Sequence, residues 1–284
     1  MVHILTNSAC DLTLSQAEEL GVTIIPDYIA FSPTEQYRNN IEIDPPTLYR
    51  RLPDCEELPK TAHPNLDQFM QAFRAAAAEP GCTELLCLSL TSKMSGSCNT
   101  ARSAVKLLEE QGFATPVTVY DTQQVSYGLA MMVQEAARLA AEGLTAGEIV
   151  DKLEDFRPHV GVYFAMESLA NARKGGRAGA IRVLAADLLK VKPILVFKDG
   201  LVSDIGIVRG FDRAVDRVVD LYREKAVYGG EVYVFHADRA RLAEDVSARL
   251  RTIDPDIHIT TGWVGGVIGI YTGAGCLGLA FRQK

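Results

Sequence analysis

Residues 84–97 read Glu84-Leu85-Leu86-Cys87-Leu88-Ser89-Leu90-Thr91-Ser92-Lys93-Met94-Ser95-Gly96-Ser97. An apolar run too short for a helix, Glu84–Leu90, passes into hydroxyl-bearing residues, and a helical pattern follows from Cys98 to Gln111, stopped by Gly112. The same order recurs on either side. Val2–Leu5 ends in Thr6-Asn7-Ser8, and Val117–Tyr120 ends in Asp121-Thr122 ahead of an Ala-rich helix over Ser126–Glu142. Val22–Ile25 is a further β-branched run, broken by Pro26 and resumed over Tyr28–Phe31. Repeated strand, polar loop and helix predict a parallel sheet with helices on both faces. Asn65 with Gln68 predicts a capping box opening Leu66–Ala78, Thr145 with Glu148 predicts another opening a helix to Phe156, and Ser97 is expected to cap Cys98–Gln111.

From about His159 the texture changes. Val160–Ala165, Lys192–Phe197, Leu201–Val208, Glu231–Phe235, Ile257–Thr261 and Val267–Tyr271 read as strands, with Asp199-Gly200 as a two-residue hairpin turn. Helices are expected over Ile181–Leu189, Phe211–Lys225 and Arg239–Arg251. The expectation is therefore two units. Residues 1–158 form an α/β domain with a parallel sheet, and residues 159–284 an α+β domain with a largely antiparallel sheet. No internal repeat, low-complexity tract or linker interrupts them.

Composition narrows the function classes. Of 284 residues, 48% are hydrophobic and 23% charged, the balance of a globular chain with material to line a cavity. A net charge of −7 with scattered Lys and Arg argues against nucleic-acid binding, which needs a basic footprint. Six cysteines at 10, 55, 82, 87, 98 and 276 contain no CxxC pair, and the chain opens directly into a strand without a basic and apolar leader. Reduced thiols, a cytoplasmic location and no metal or cofactor are the expectation.

In open parallel sheets, ligands gather beyond the carboxyl ends of the strands. Ser95-Gly96-Ser97 lies there at a helix start, where free N–H groups and the helix dipole favour an anion, although an ordinary cap accounts for the same residues. Lys60-Thr61-Ala62-His63-Pro64 is a second polar turn, in which His63 reads equally as a solvated side chain. The glycine-dense tail around Tyr271-Thr272-Gly273-Ala274-Gly275 implies tight turns, but it lacks GxxxxGK[ST] and a strand-bound GxGxxG. Cys98 beside Ser97 occupies a position that stabilises a thiolate, with His63 as the one base suggested by motif.

Taken in order, several fragments resemble the DegV family of bacterial fatty-acid-binding proteins. They are Thr6-Asn7-Ser8-Ala9-Cys10-Asp11-Leu12, Lys60 to Pro64, Ser92-Lys93-Met94-Ser95-Gly96-Ser97, Asp121-Thr122 with Ser126-Tyr127-Gly128, Arg173-Lys174-Gly175-Gly176-Arg177, Lys192-Pro193-Ile194 with Asp199-Gly200 and Arg209, and Tyr271 to Gly275. The resemblance implies a long-chain fatty acid threaded into the second domain, with its carboxylate at the interface. It implies no catalysis by the chain itself, and a separate ATP-dependent fatty acid kinase that phosphorylates the presented carboxylate. Thr61, Ser95 and Gly96 match the family's carboxylate-holding positions, while Tyr271 stands where the family has histidine. Asn7 also replaces an aspartate, and Ala62-His63 replaces serine-glutamine. Either Tyr271 donates to the carboxylate or His63 supplies the missing imidazole. Arg173, Arg177 and Arg209 are expected to face the kinase or, transiently, an anionic membrane surface, unless they form a merely solvated turn. The other classes are an enzyme performing phosphoryl transfer or hydrolysis in the polar crevice, and a regulatory module with a structural lipid.

The energetics require enclosure. About fourteen buried methylenes contribute roughly 11 kcal/mol, against an association cost of about 4–15 kcal/mol. A shallow groove leaves little affinity, so a closed tunnel is expected. A buried carboxylate in turn needs hydrogen-bond donors.

Overall fold

The computed structural model describes residues 1–178 and 191–284. The expected helix Ile181–Leu189 lies outside the described residues. In chain order the elements are β1 (Val2–Asn7), α1 (Leu14–Glu19), β2 (Val22–Ile25), β3 (Tyr28–Ser32), β4 (Glu35–Arg38), α2 (Pro45–Arg51), β5 (Lys60–Ala62), α3 (Leu66–Ala77), β6 (Glu84–Ser89), α4 (Ser97–Glu110), β7 (Val117–Asp121), α5 (Ser126–Ala141) and α6 (Ala146–Phe156). Then follow β8 (Val160–Met166), α7 (Ala170–Lys174), β9 (Val191–Lys198), β10 (Leu201–Arg209), α8 (Phe211–Lys225), β11 (Glu231–Ala237), α9 (Ala240–Ile253), β12 (His258–Trp263), α10 (Gly266–Thr272) and β13 (Cys276–Arg282).

The first sheet is parallel in the order β2-β1-β6-β7. Its strands are apolar on both faces because helices cover both. Leu5, Leu85 and Cys87 pack with Phe69 and Phe73 of α3 and Ala101, Ala104 and Leu108 of α4. Their alternates Ile4, Leu86 and Leu88 pack with α5 and α6. The capping boxes at Asn65/Gln68 and Thr145/Glu148 form, and a third closes α1 through Thr13 and Gln16.

The second sheet runs β10-β9-β8-β13-β11-β12 and is antiparallel except for the β11–β12 pair. One face carries α8 and α9, over Tyr163, Val234, Leu277 and Leu279. The other turns Val162, Phe164, Met166, Phe197 and Phe235 toward α5 and the ends of the parallel strands, inside one apolar cluster with them. α5 is thus buried on two sides, with Leu129, Met132, Val133 and Ala136 all inaccessible to solvent. A third small sheet, β4-β3-β5, stands beside the junction.

Three expectations are corrected. Val267–Tyr271 is not a strand but belongs to helix α10. Its run of β-branched residues mimics a strand, yet Gly265, Gly266 and Gly269 let the helix approach its neighbours closely. A Cβ on Gly269 would lie 2.3 Å from the Tyr49 hydroxyl, and one on Gly266 would lie 2.3 Å from Ile29 Cδ1. Next, β13 is a central strand where only a glycine-dense tail was read. Gly278 leaves room there for the Phe235 ring, which would sit 2.3 Å from a Cβ. Finally, Ser97 does not cap α4. Gly96 holds the N-cap position, and the Ser95 hydroxyl accepts the Ser97 N–H at 3.2 Å.

Candidate functional site

Thr61 lies in β5 rather than in a free turn. It pairs with Ile29 across to β3, which fixes its side chain beside the carboxyl ends of the parallel strands. Tyr271 arrives from the last turn of α10, and the two hydroxyls meet at 2.6 Å. One of them donates to the other. Whichever donates, the pair retains one proton for a further acceptor. Ser95, in the loop from β6 to α4, spends its lone pair on the Ser97 N–H, so its own O–H is free to donate.

His63 packs under the helix start. Its Cε1 would touch a Cβ on Gly96 at 3.1 Å, and its Nε2 pairs with the Thr100 hydroxyl at 3.0 Å. Partial burial lowers its pKa below the usual imidazole value, so the ring is neutral near pH 7 and supplies no cation. Thr61, His63, Ser95, Gly96 and Tyr271 line one polar pocket together.

Beside this pocket runs a narrow cavity walled mainly by hydrophobic side chains. Its long wall is the inward face of β8, where Val162, Phe164 and Met166 project at every second position, a span of roughly 13 Å. Phe197, Val202 and Phe235 from neighbouring strands extend it. Met94, Val125 and Ile268 line both the cavity and the polar pocket, as do Tyr271 and Arg177. The two spaces adjoin along this shared wall.

The cationic turn keeps its arginines exposed while its glycine packs against the pocket. Gly175 lies against Tyr271, whose ring carbons would be 2.4 Å from a Cβ there, and Asn171 donates to the Ile270 carbonyl at 3.1 Å. The Arg177 guanidinium stands 5.2 Å from the centre of the Tyr271 ring while remaining solvent-exposed. Arg177 therefore belongs to the pocket wall as well as to the surface. Arg173 and Arg209 are exposed and line none of these spaces. An outer basin, lined by Glu56, Glu57, Lys60 and Lys174, reaches the pocket at Thr61, Arg177 and Tyr271.

Sequence reasoning missed the acids below the pocket. Asp27 lines it, accepting the Ser8 hydroxyl at 3.0 Å and the Ala9 N–H at 3.1 Å. Asp11 accepts the Ser126 hydroxyl and borders Gly265. Burial is the main cause that pushes both carboxyls up to about 7. Asn39 ties this network to α10, donating to Ser8 and accepting the Val267 N–H at 3.3 Å. An isolated acid after Pro26 looks like a surface turn, and only the serines at 8 and 126 hint at its company. The Cys98 thiol, in contrast, is buried and raised in pKa by that burial, which removes the thiolate reading. Among the described residues no group of His, Cys, Asp and Glu is arranged to hold a metal ion, and no helix is long and apolar enough to cross a membrane.

A parallel sheet and a mostly antiparallel one, with an apolar cavity between them that is stoppered by hydroxyls, define a class of two-sheet cavity proteins. The family profile described as uncharacterised protein, DegV family, matches residues 1–284. The chain belongs to the DegV family. A DegV domain-containing protein of Halalkalibacterium halodurans is 31% identical over 282 residues, covering 99% of this chain and 98% of that one. The structure of a DegV family protein from Thermus thermophilus, described for its fatty acid binding, superposes with a TM-score of 0.87 at 27% identity over 99% of both chains. DegV of Bacillus subtilis, described as a fatty acid binding protein, superposes at 0.89 with 25% identity, covering 100% of this chain and 99% of that one.

Proposed function

We propose that this chain is a carrier that binds a long-chain fatty acid, with the alkyl tail along the inward face of β8 and the carboxylate in the hydroxyl pocket. The observation that carries this reading is that an apolar cavity and a donor-rich pocket adjoin, with Tyr271, Met94, Val125 and Ile268 in both walls. The Thr61–Tyr271 pair, the Ser95 hydroxyl and the N–H groups at the start of α4 supply donors without a buried ammonium. Such a head-group site suits cargo that is handed on. Arg177 adds a screened positive charge at the rim.

In this reading residues 1–158 provide the carboxylate loops and residues 159–284 most of the tail's walls. The chain performs no chemistry, and an ATP-dependent kinase phosphorylates the carboxylate in the cytoplasm, approaching through the outer basin. Arg173, Arg177 and Arg209 form the contact with that kinase or with an anionic membrane surface. Family membership, the fatty acid binding described for relatives, and the opening of the pocket into a basin bearing Lys60 and Lys174 support it.

Native mass spectrometry of the purified chain tests the ligand directly, the expected result being a bound C16–C18 acid, about the tail length of fourteen or more methylenes assumed above. Titration with palmitate and oleate tests the head group. Tyr271→Phe is expected to weaken binding about threefold to tenfold by removing one shared donor. His63→Ala is expected to change it by less than about twofold, because the ring is neutral and engaged with Thr100. Wild-type affinity in Tyr271→Phe defeats the donor role of Tyr271.

A further inference from the structure

One wall of the apolar cavity is formed by the outer strands of the second sheet. β8, β9 and β10 lie side by side there, and Val162, Phe197 and Val202 are direct partners across the two ladders. All three line the cavity. Beyond them opens a second, polar space lined by Gln123, Gln124, Lys198, Lys225 and Lys284 among others. Among the described residues Phe197 alone stands in both walls, and it is 4% exposed. Successive residues on adjoining elements divide between the two spaces, since Val125 and Val162 line the cavity whereas Gln124 and Gly161 line the polar space.

We propose that Phe197 is the floor of the acyl site and sets the length of chain the protein accepts. This rests on the fatty-acid reading above. Each methylene that enters the apolar cavity adds roughly a fourfold gain in affinity. A chain that outgrows the cavity must displace an aromatic ring from the middle strand of three, or push methylenes among lysines and glutamines where that gain vanishes. The ring is also the seal that keeps the open polar space, with its water, away from the tail. Phe197 accordingly acts as a specificity-determining residue through apolar contact alone.

The test is a binding series on the delipidated full chain, using saturated acids from laurate to arachidate, with Phe197→Leu and Phe197→Ala beside the wild type. Affinity of the wild type is expected to rise with length and then break. The break is expected to move to acids longer by about two to four carbons in Phe197→Ala, where truncation leaves a cavity, and by less in Phe197→Leu. Phe197→Leu keeps the test valid if the alanine variant fails to fold. A break at the same length in wild type and Phe197→Leu, with wild-type binding intact, overturns the floor while leaving the fatty-acid reading standing. A wild type that binds none of the acids overturns that reading and this inference with it.

Discussion

The two ends of the cavity are built by opposite means. The head-group end is assembled from loops and element termini: Thr61 from a three-residue edge strand, Ser95 from a loop, Tyr271 from a helix's last turn, and Arg177 from beyond α7. Its residues are half-buried or exposed, and hydrogen bonds relate them one pair at a time. The tail end is made of regular strands whose every second side chain faces inward, so the ladder spacing fixes Val162, Phe164 and Met166 together. Orientation at one end depends on a few polar contacts that adjust independently, whereas volume at the other is set by the sheet as a unit. Polar substitutions should therefore alter affinity with little effect on folding, and wall substitutions should alter both.

The most forceful challenge to that contrast is Phe164→Ala. Phe164 is buried, packs 6.4 Å from the Phe235 ring and stands over Gly278. Its truncation is expected to lower stability by about 3–5 kcal/mol, read by urea unfolding. A loss under about 1 kcal/mol would show the wall to be as tolerant as a loop. Ser95→Ala comes next. It removes a donor to a charged group and is expected to weaken palmitate binding about tenfold to a hundredfold, with the unfolding midpoint nearly unchanged. A matching loss of stability would erase the distinction between the two ends.

The smallest effect concerns pH. Asp27 is held at about 7 in the folded chain against an ordinary 3.8. A carboxyl raised in this way binds more protons folded than unfolded, so its contribution to stability is complete below about pH 4 and is lost as pH rises through about 7. Ionised Asp27 also opposes a ligand carboxylate in the same pocket. Binding is expected to weaken about threefold to tenfold between pH 6 and 8, and Asp27→Asn should flatten that dependence in the same titration. An unchanged slope would place the titration elsewhere, with Asp11 as the next group to replace.

Much of the fold was legible because local signals agreed with one another. Short apolar runs closed by hydroxyl residues marked the parallel strands, and Asn65/Gln68 and Thr145/Glu148 marked helix starts that form as capping boxes. Asp199-Gly200 marked the β9–β10 turn. Misreadings arose where distant packing overrules local pattern. Val267–Tyr271 is rich in β-branched residues like a strand, and only Tyr49 and Ile29, more than two hundred positions away, explain why glycines make it a close-packed helix. Resemblance drew Thr61, Ser95 and Tyr271 together, while the residues alone offered no sign that positions 61 and 271 touch. Arg177 looked like part of a solvated turn because nothing near it in sequence reveals the ring it covers.

Helix α5 has a consequence for how cargo gets in. Swinging the two sheets apart like a clamshell would strip one side of a helix that is enclosed on both, with Leu129, Met132 and Val133 at zero exposure. Wetting several hundred Å² of such surface costs on the order of 10 kcal/mol, as much as the whole stability of many domains. On the proposed fatty-acid reading, loading proceeds instead through the lesser displacement of individual segments at the rim, with the central helix left in place as a rigid keel.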